Sequence, residues 1–80
     1  MDKKDLIDKI IDYLNKINPK VNSLNDKTKL LEEVVDFDSL DLAGLISYLE
    51  EETNLDPFQD GFIEFESIEE LAFLFAEKSN

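Results

Sequence analysis

The side chains that could do chemistry in this chain gather around one hydroxyl. In the stretch VVDFDSLDLAGLI, residues 34 to 46, Ser39 stands between Asp38 and Asp41 where a polar turn gives way to an apolar-periodic segment. A serine in that position can cap a helix, or it can be an exposed point of covalent attachment. Hydrolysis at Ser39 lacks its partners, because the chain contains neither histidine nor cysteine. The usual general base and the strongest nucleophile at neutral pH are therefore missing, and a Ser–His–Asp arrangement is impossible. A Ser–Lys dyad would need a buried lysine of depressed pKa, and the lysines fall on charged faces. Paired carboxylates abound, but a glycosidase-type site needs a cleft between them that so small a core cannot wall. No catalytic residue is assigned, and an enzyme acting alone is not expected.

Calcium is the other chemistry to weigh. Residues 36 to 47 place Asp36 and Asp38 at positions one and three of an EF-hand loop. Leu40 then fails position five, Asp41 replaces the turn glycine, and Ser47 replaces the bidentate glutamate. No metal ligands are assigned.

The elements that must position Ser39 are helical. Leu6, Ile7, Ile10, Ile11, Leu14 and Ile17 recur at three- and four-residue steps, which predicts a helix over about residues 3 to 17. Pro19 stops it by disfavouring helical geometry at Asn18. From Asn18 to Asp38 no strong repeat appears, and Val21, Leu24, Leu30, Leu31, Val34 and Val35 read as anchors pinning a long loop onto the core. One helical turn is expected near 28–33. A second main helix starts at Asp38 or Ser39 with Asp38 as N-cap, runs to about Thr53, and ends in a left-handed turn at Asn54. Its Leu42, Leu45, Ile46 and Leu49 should face inward. Residues 55 to 66 fit a short third helix or a loop broken at Gly61, with Phe62 and Phe65 expected in the core. Finally, SIEE at 67–70 is a capping box that opens a last helix, whose stripe is Ile68, Leu71, Ala72 and Phe75. The expected fold class is all-α, a small bundle of three main helices plus a short third helix or loop, forming one domain over 1–80.

Composition narrows the partners. Eighty residues bury only roughly 60–65% of the surface an unfolded chain exposes, and with no cysteine the fold must hold by packing alone. Asp plus Glu number 20 against 8 lysines, a net charge of −12. That argues against a nucleic-acid backbone as partner and steers the chain toward basic protein surfaces. No apolar run reaches a membrane span, and the first residues lack a signal-peptide core, so a cytoplasmic monomer is expected.

On the second main helix, the side opposite the buried stripe should carry Leu40, Gly44, Ser47 and Glu51. With Asp38, Asp41 and Glu50 beside them, these residues read as a docking face. Carboxylates would steer a basic partner, and Leu40 would fill a pocket on contact.

DSLDLAGLISYLEEETNL resembles the Asp-Ser-Leu attachment region of acyl carrier proteins and of the related aminoacyl and peptidyl carriers. The likeness covers nearly the whole chain: an amphipathic first helix, a long loop, the D-S-L turn opening an acidic helix, an irregular third segment, and a short last helix behind FESIEEL. It implies an acyl-carrier-like bundle in which Ser39 carries 4'-phosphopantetheine, transferred from coenzyme A by a magnesium-dependent phosphopantetheinyl transferase. Acyl cargo would ride as a thioester, loaded by a ligase and passed to downstream synthase or transferase enzymes of fatty-acid, polyketide or other specialised biosynthesis. A phosphate ester at residue 39 would lie near the positive end of the helix dipole. Three positions depart from the family pattern: Asp36 replaces a common glycine, Phe37 a small residue, and Gly44 a glutamate frequent in fatty-acid carriers. Gly44 costs about 0.8–1.0 kcal/mol of helix propensity against alanine, which close approach of a partner or of the arm would explain. These departures leave open an aminoacyl or peptidyl carrier of a nonribosomal-peptide or D-alanylation pathway. A different class, an acidic helical inhibitor of a basic protein such as a nuclease, explains the charge and the bundle but not the D-S-L serine.

Overall fold

A computed structural model describes residues 2–19 and 23–78. It contains four α-helices: α1 (Lys3–Ile17), α2 (Leu30–Glu33), α3 (Ser39–Thr53) and α4 (Ile68–Lys78). The all-helical bundle read from the sequence is the fold observed. The short helix is α2, inside the long loop, and residues 55 to 66 form turns rather than a helix. Val21, expected among the loop's anchors, lies outside the described residues.

Helix α1 begins where the Asp2 carboxylate accepts the Asp5 N–H at 2.9 Å. It ends at Asn18, whose non-helical backbone (φ −146°, ψ 88°) breaks the ladder just ahead of Pro19. Its stripe buries Leu6, Ile10 and Leu14 completely, with Ile7 and Ile11 at the margin, and α4 packs against it. Ile17, expected on that stripe, is instead 45% exposed at the last residue of the helix. From α4, Ile68, Leu71, Ala72 and Phe75 are fully buried, as their spacing predicts. Leu45 and Leu49 of α3 complete the core, with Leu42 and Ile46 half-buried beside it.

The long loop is tied down by backbone hydrogen bonds as well as by side chains. Leu30 N–H donates to Glu66 O at 2.9 Å, and Ile68 N–H donates to Thr28 O at 3.0 Å, forming an isolated antiparallel bridge between Lys29 and Ser67. Glu69 N–H donates to Asp26 O at 2.8 Å, and Glu70 N–H to Ser67 Oγ at 3.2 Å. The first donors of α4, which no helical carbonyl can reach, are thus taken by the loop and by the Ser67 cap. Glu70 returns the bond, accepting Ser67 N–H at 3.0 Å, and these backbone donors hold its carboxyl below the usual glutamate value. Leu30 and Val34 are buried anchors, Leu24 is partly buried, and Leu31 and Val35 point outward, contrary to the expectation that all would pin the loop. One turn of helix can bury only one side, so Leu30 and Leu31 part company.

The segment 56–61 turns on itself. The Asp56 side chain accepts Phe58 N–H, Gln59 N–H donates to Asp56 O, and Gly61 takes φ +132°. This turn chemistry competes with a helical ladder and prevails. Phe58 meets Phe75 edge-on at 6.4 Å and stacks on Phe62 at 5.4 Å. Phe62 is therefore the outermost ring of the cluster and 68% exposed, not a core residue; Phe65 is half-buried.

One edge of α3 meets α1. Tyr48 stacks on Tyr13 with ring centroids 5.0 Å apart, and Lys9 bonds Glu52 at 2.7 Å. Gly44 lies one turn before Tyr48 on the same edge, and a Cβ there would stand 2.9 Å from Tyr13 Oη. Removing that hydroxyl should release the constraint. In a Tyr13→Phe background, Gly44→Ala is expected to stabilise the fold by about 1 kcal/mol, and by less in the wild type, measured by urea unfolding of the four variants. Equal gains in both backgrounds would show that Tyr13 does not account for the glycine.

Candidate functional site

The chain approaches Ser39 through two buried anchors, Val34 and Phe37, that precede it. Val35 and Asp36 bulge outward between them, with Val35 O accepting from Asn18 Nδ2 at 3.0 Å. Asp36 takes φ +58°, the left-handed conformation that glycine enters freely and aspartate tolerates better than most residues. The bulge turns the chain so that Phe37 points in and residues 38 to 40 emerge at the surface.

Asp38 is the N-cap of α3. Its Oδ1 accepts Asp41 N–H at 3.0 Å, and Asp41 Oδ2 accepts Asp38 N–H at 3.2 Å, a reciprocal box built from two aspartates. Both expected flanking carboxylates are therefore engaged in holding the helix start. Ser39 is the first helical residue and is exposed. Its N–H and that of Leu40 have no partner among the described residues. The site thus offers a solvent-facing hydroxyl beside two unengaged backbone donors at the positive end of a 15-residue helix. That chemistry suits a covalently attached anion: Ser39 Oγ as the attachment atom, and the donors for a phosphate oxygen. The residues present fit such a group.

The outward face of α3 differs in part from the one expected. Leu40 is 82% exposed, and Ser47 and Glu51 share its side. Ala43 is exposed on the neighbouring flank, whereas Gly44 is only half-exposed. Gly44 is half-buried against Tyr13, so the close approach that excuses its missing side chain is internal. Glu50 is also half-buried, beside Asp56 across the Asn54 turn. Burial first, and then the Asp56 charge and a hydrogen bond to its carboxyl, push the Glu50 carboxyl up from its ordinary value. No sequence signal pairs these two acids; the left-handed Asn54 (φ +57°) brings Asp56 back toward the helix.

A second feature was not legible in the sequence. An open groove of about 540 Å³ lies between α2, α3 and the 62–66 segment, floored by Leu30, Leu31, Leu42, Phe62 and Phe65. Leu42 lies three residues beyond Ser39 on α3.

No helix among the described residues is long and apolar enough to cross a membrane. No protein-family model, curated protein or solved structure matches the chain.

The cap and the acid pair make separate predictions. Asp38→Ala should cost about 1 kcal/mol in urea unfolding and speed amide exchange at Asp41, whose N–H loses its acceptor; unchanged exchange would contradict the capping role. Glu50 has a raised folded pKa, so its contribution to stability is full below its unfolded pKa and is lost as pH rises through the folded value. Glu50→Gln should accordingly gain on the wild type as pH rises from 4 to 7 (about the range in which carboxylates titrate), read as urea midpoints across the series. A constant difference would show that burial beside Asp56 does not raise the Glu50 carboxyl.

Proposed function

We propose that the chain is a carrier protein that holds acyl or aminoacyl intermediates on a 4'-phosphopantetheine arm at Ser39 and presents them to partner enzymes. The observation that carries this reading is the exposed Ser39 hydroxyl on the first turn of α3, with free N–H donors beside it and its flanking aspartates committed to the cap. The resemblance of DSLDLAGLISYLEEETNL to the carrier attachment region supplies the identity of the group. When bound, the arm supplies the thiol that this cysteine-free chain lacks.

The roles of the chain's own residues follow from their positions. Asp38 and Asp41 fix the backbone so that Ser39 Oγ is held clear of the surface. The Ser39 and Leu40 N–H groups are the donors available to a phosphate. Leu40 is the apolar contact for a docking enzyme, with Ser47, Glu51 and the exposed edge of Glu50 as its polar rim. Gly44 is left to Tyr13. The carrier reading implies a cytoplasmic monomer that works with a phosphopantetheinyl transferase, a loading ligase and downstream synthase or transferase enzymes.

Incubation with coenzyme A, magnesium and a transferase of broad specificity should add the mass of one phosphopantetheine, and Ser39→Ala should abolish the gain while leaving the helical circular-dichroism signal intact. A wild-type protein left unmodified by several such transferases overturns the reading. Tight binding to a basic protein that ignores Ser39→Ala would favour the inhibitor class instead.

A further inference from the structure

We propose that Asp60 is a site of self-modification, closing on the Gly61 nitrogen to a succinimide that reopens as β-linked isoaspartate. The Gly61 nitrogen bonds to Asp60 Cγ, and its proton leaves with the carboxyl OH as water. Water then adds back across one of the ring carbonyls. Opening at the Cγ side restores aspartate, and opening at the main-chain side leaves the chain running through Cγ. Water is the only other reactant, and the mass is unchanged.

Ring closure needs a free carboxyl, an unobstructed following nitrogen and a backbone that can rotate. Asp60–Gly61 is the only Asp-Gly pair in the chain, and both residues are exposed at the tip of a turn. Gly61 takes φ +132°, and a Cβ built on it would meet nothing within 4 Å, so the nitrogen is approached through open space. Its N–H donates to Phe58 O at 3.0 Å, a single turn bond outside any helical ladder, which local opening releases. The other aspartates are each blocked. Asp5, Asp8, Asp12 and Asp41 are fixed within helices, and the Asp2 and Asp38 carboxylates are held in caps. Asp26 precedes Lys27, whose N–H is engaged by Asn25 Oδ1 at 2.8 Å. Asp36 precedes the buried Phe37, and Asp56 precedes Pro57, whose nitrogen has no proton to give up.

The product has a local structural consequence. A β-linkage adds one methylene to the main chain just before Phe62, which stacks on Phe58 at 5.4 Å and lies 5.9 Å from Phe65. The longer chain releases the Gly61 turn bond and shifts the outer ring, while Phe58 keeps its edge contact with Phe75 in the core.

The test holds the full-length protein at physiological temperature for several weeks. The aged protein should accept methyl groups from S-adenosylmethionine when given a protein-isoaspartate methyltransferase, and fresh protein should not. Chymotrypsin releases residues 59–62, and this peptide should split into isobaric forms that separate by chromatography. Amide shifts in the aged protein should centre on Phe58, Phe62 and Phe65, with the helical circular-dichroism signal retained. Asp60→Glu keeps the charge and the glycine but must close a larger ring, and it should lose the second form. Asp60→Asn, whose amide departs as ammonia, should reach the same product sooner, with the mass gain of deamidation. A single form of the aged peptide, an equal yield of isoaspartate at Asp26 or Asp36, or a second form that survives Asp60→Glu would each overturn the proposal. Ser39 takes no part in the reaction, so none of these results bears on the arm.

Discussion

The fold depends on the burial of α4 against α1. Phe75, Leu71 and Ile68 meet Leu6, Ile10 and Leu14 in a core from which solvent is wholly excluded, and no cysteine is present to substitute for it. Each of these side chains is worth about 1.5–3 kcal/mol on transfer from water, which is large beside the surface ion pairs at Lys9, Lys27 and Lys29. Once α4 is seated, its unsatisfied N-terminal donors draw in the carbonyls of Asp26 and Thr28. The loop that must travel from α1 to α3 is thereby fixed along its second half, and the start of α3 inherits a defined position. The chain's radius of gyration, 11.7 Å, is close to the roughly 11.6 Å expected of 80 compact residues.

Local chemistry made the helices legible. The stripe of α1, the Pro19 stop, the Asp38 cap, the left-handed Asn54 and the Ser67–Glu70 box all act over three or four residues, and all stand where the spacing puts them. Legibility fails where tertiary contact decides. Ile17 and Leu31 belong to apolar patterns, but their neighbours run out, and they are exposed. Phe62 looks like core until Phe58 takes the place against Phe75. Gly44 reads as an outward notch, and only the structure shows the Tyr13 hydroxyl, far off in sequence, standing where its side chain would be.

At the candidate site the same division holds. The placement of Ser39, with Asp38 beneath it as cap and Leu40 exposed beside it, follows from the tripeptide and the periodicity behind it. The left-handed Asp36 and the buried Phe37, two of the departures from the carrier pattern, have structural reasons: one turns the chain, and the other anchors the turn. The apolar groove is different again, since its walls come from four segments, α2, α3, residues 62–66 and α4, that share no sequence signal.

A tethered arm, as proposed, would be a covalent feature of the native protein, and its most direct test is the intact mass of material purified from its own host. The carrier function predicts a species heavier than the polypeptide by one phosphopantetheine, alone or with its cargo, the added mass localising to the peptide that contains Ser39. A native protein whose mass equals that of the bare chain, with Ser39 unmodified, would contradict it.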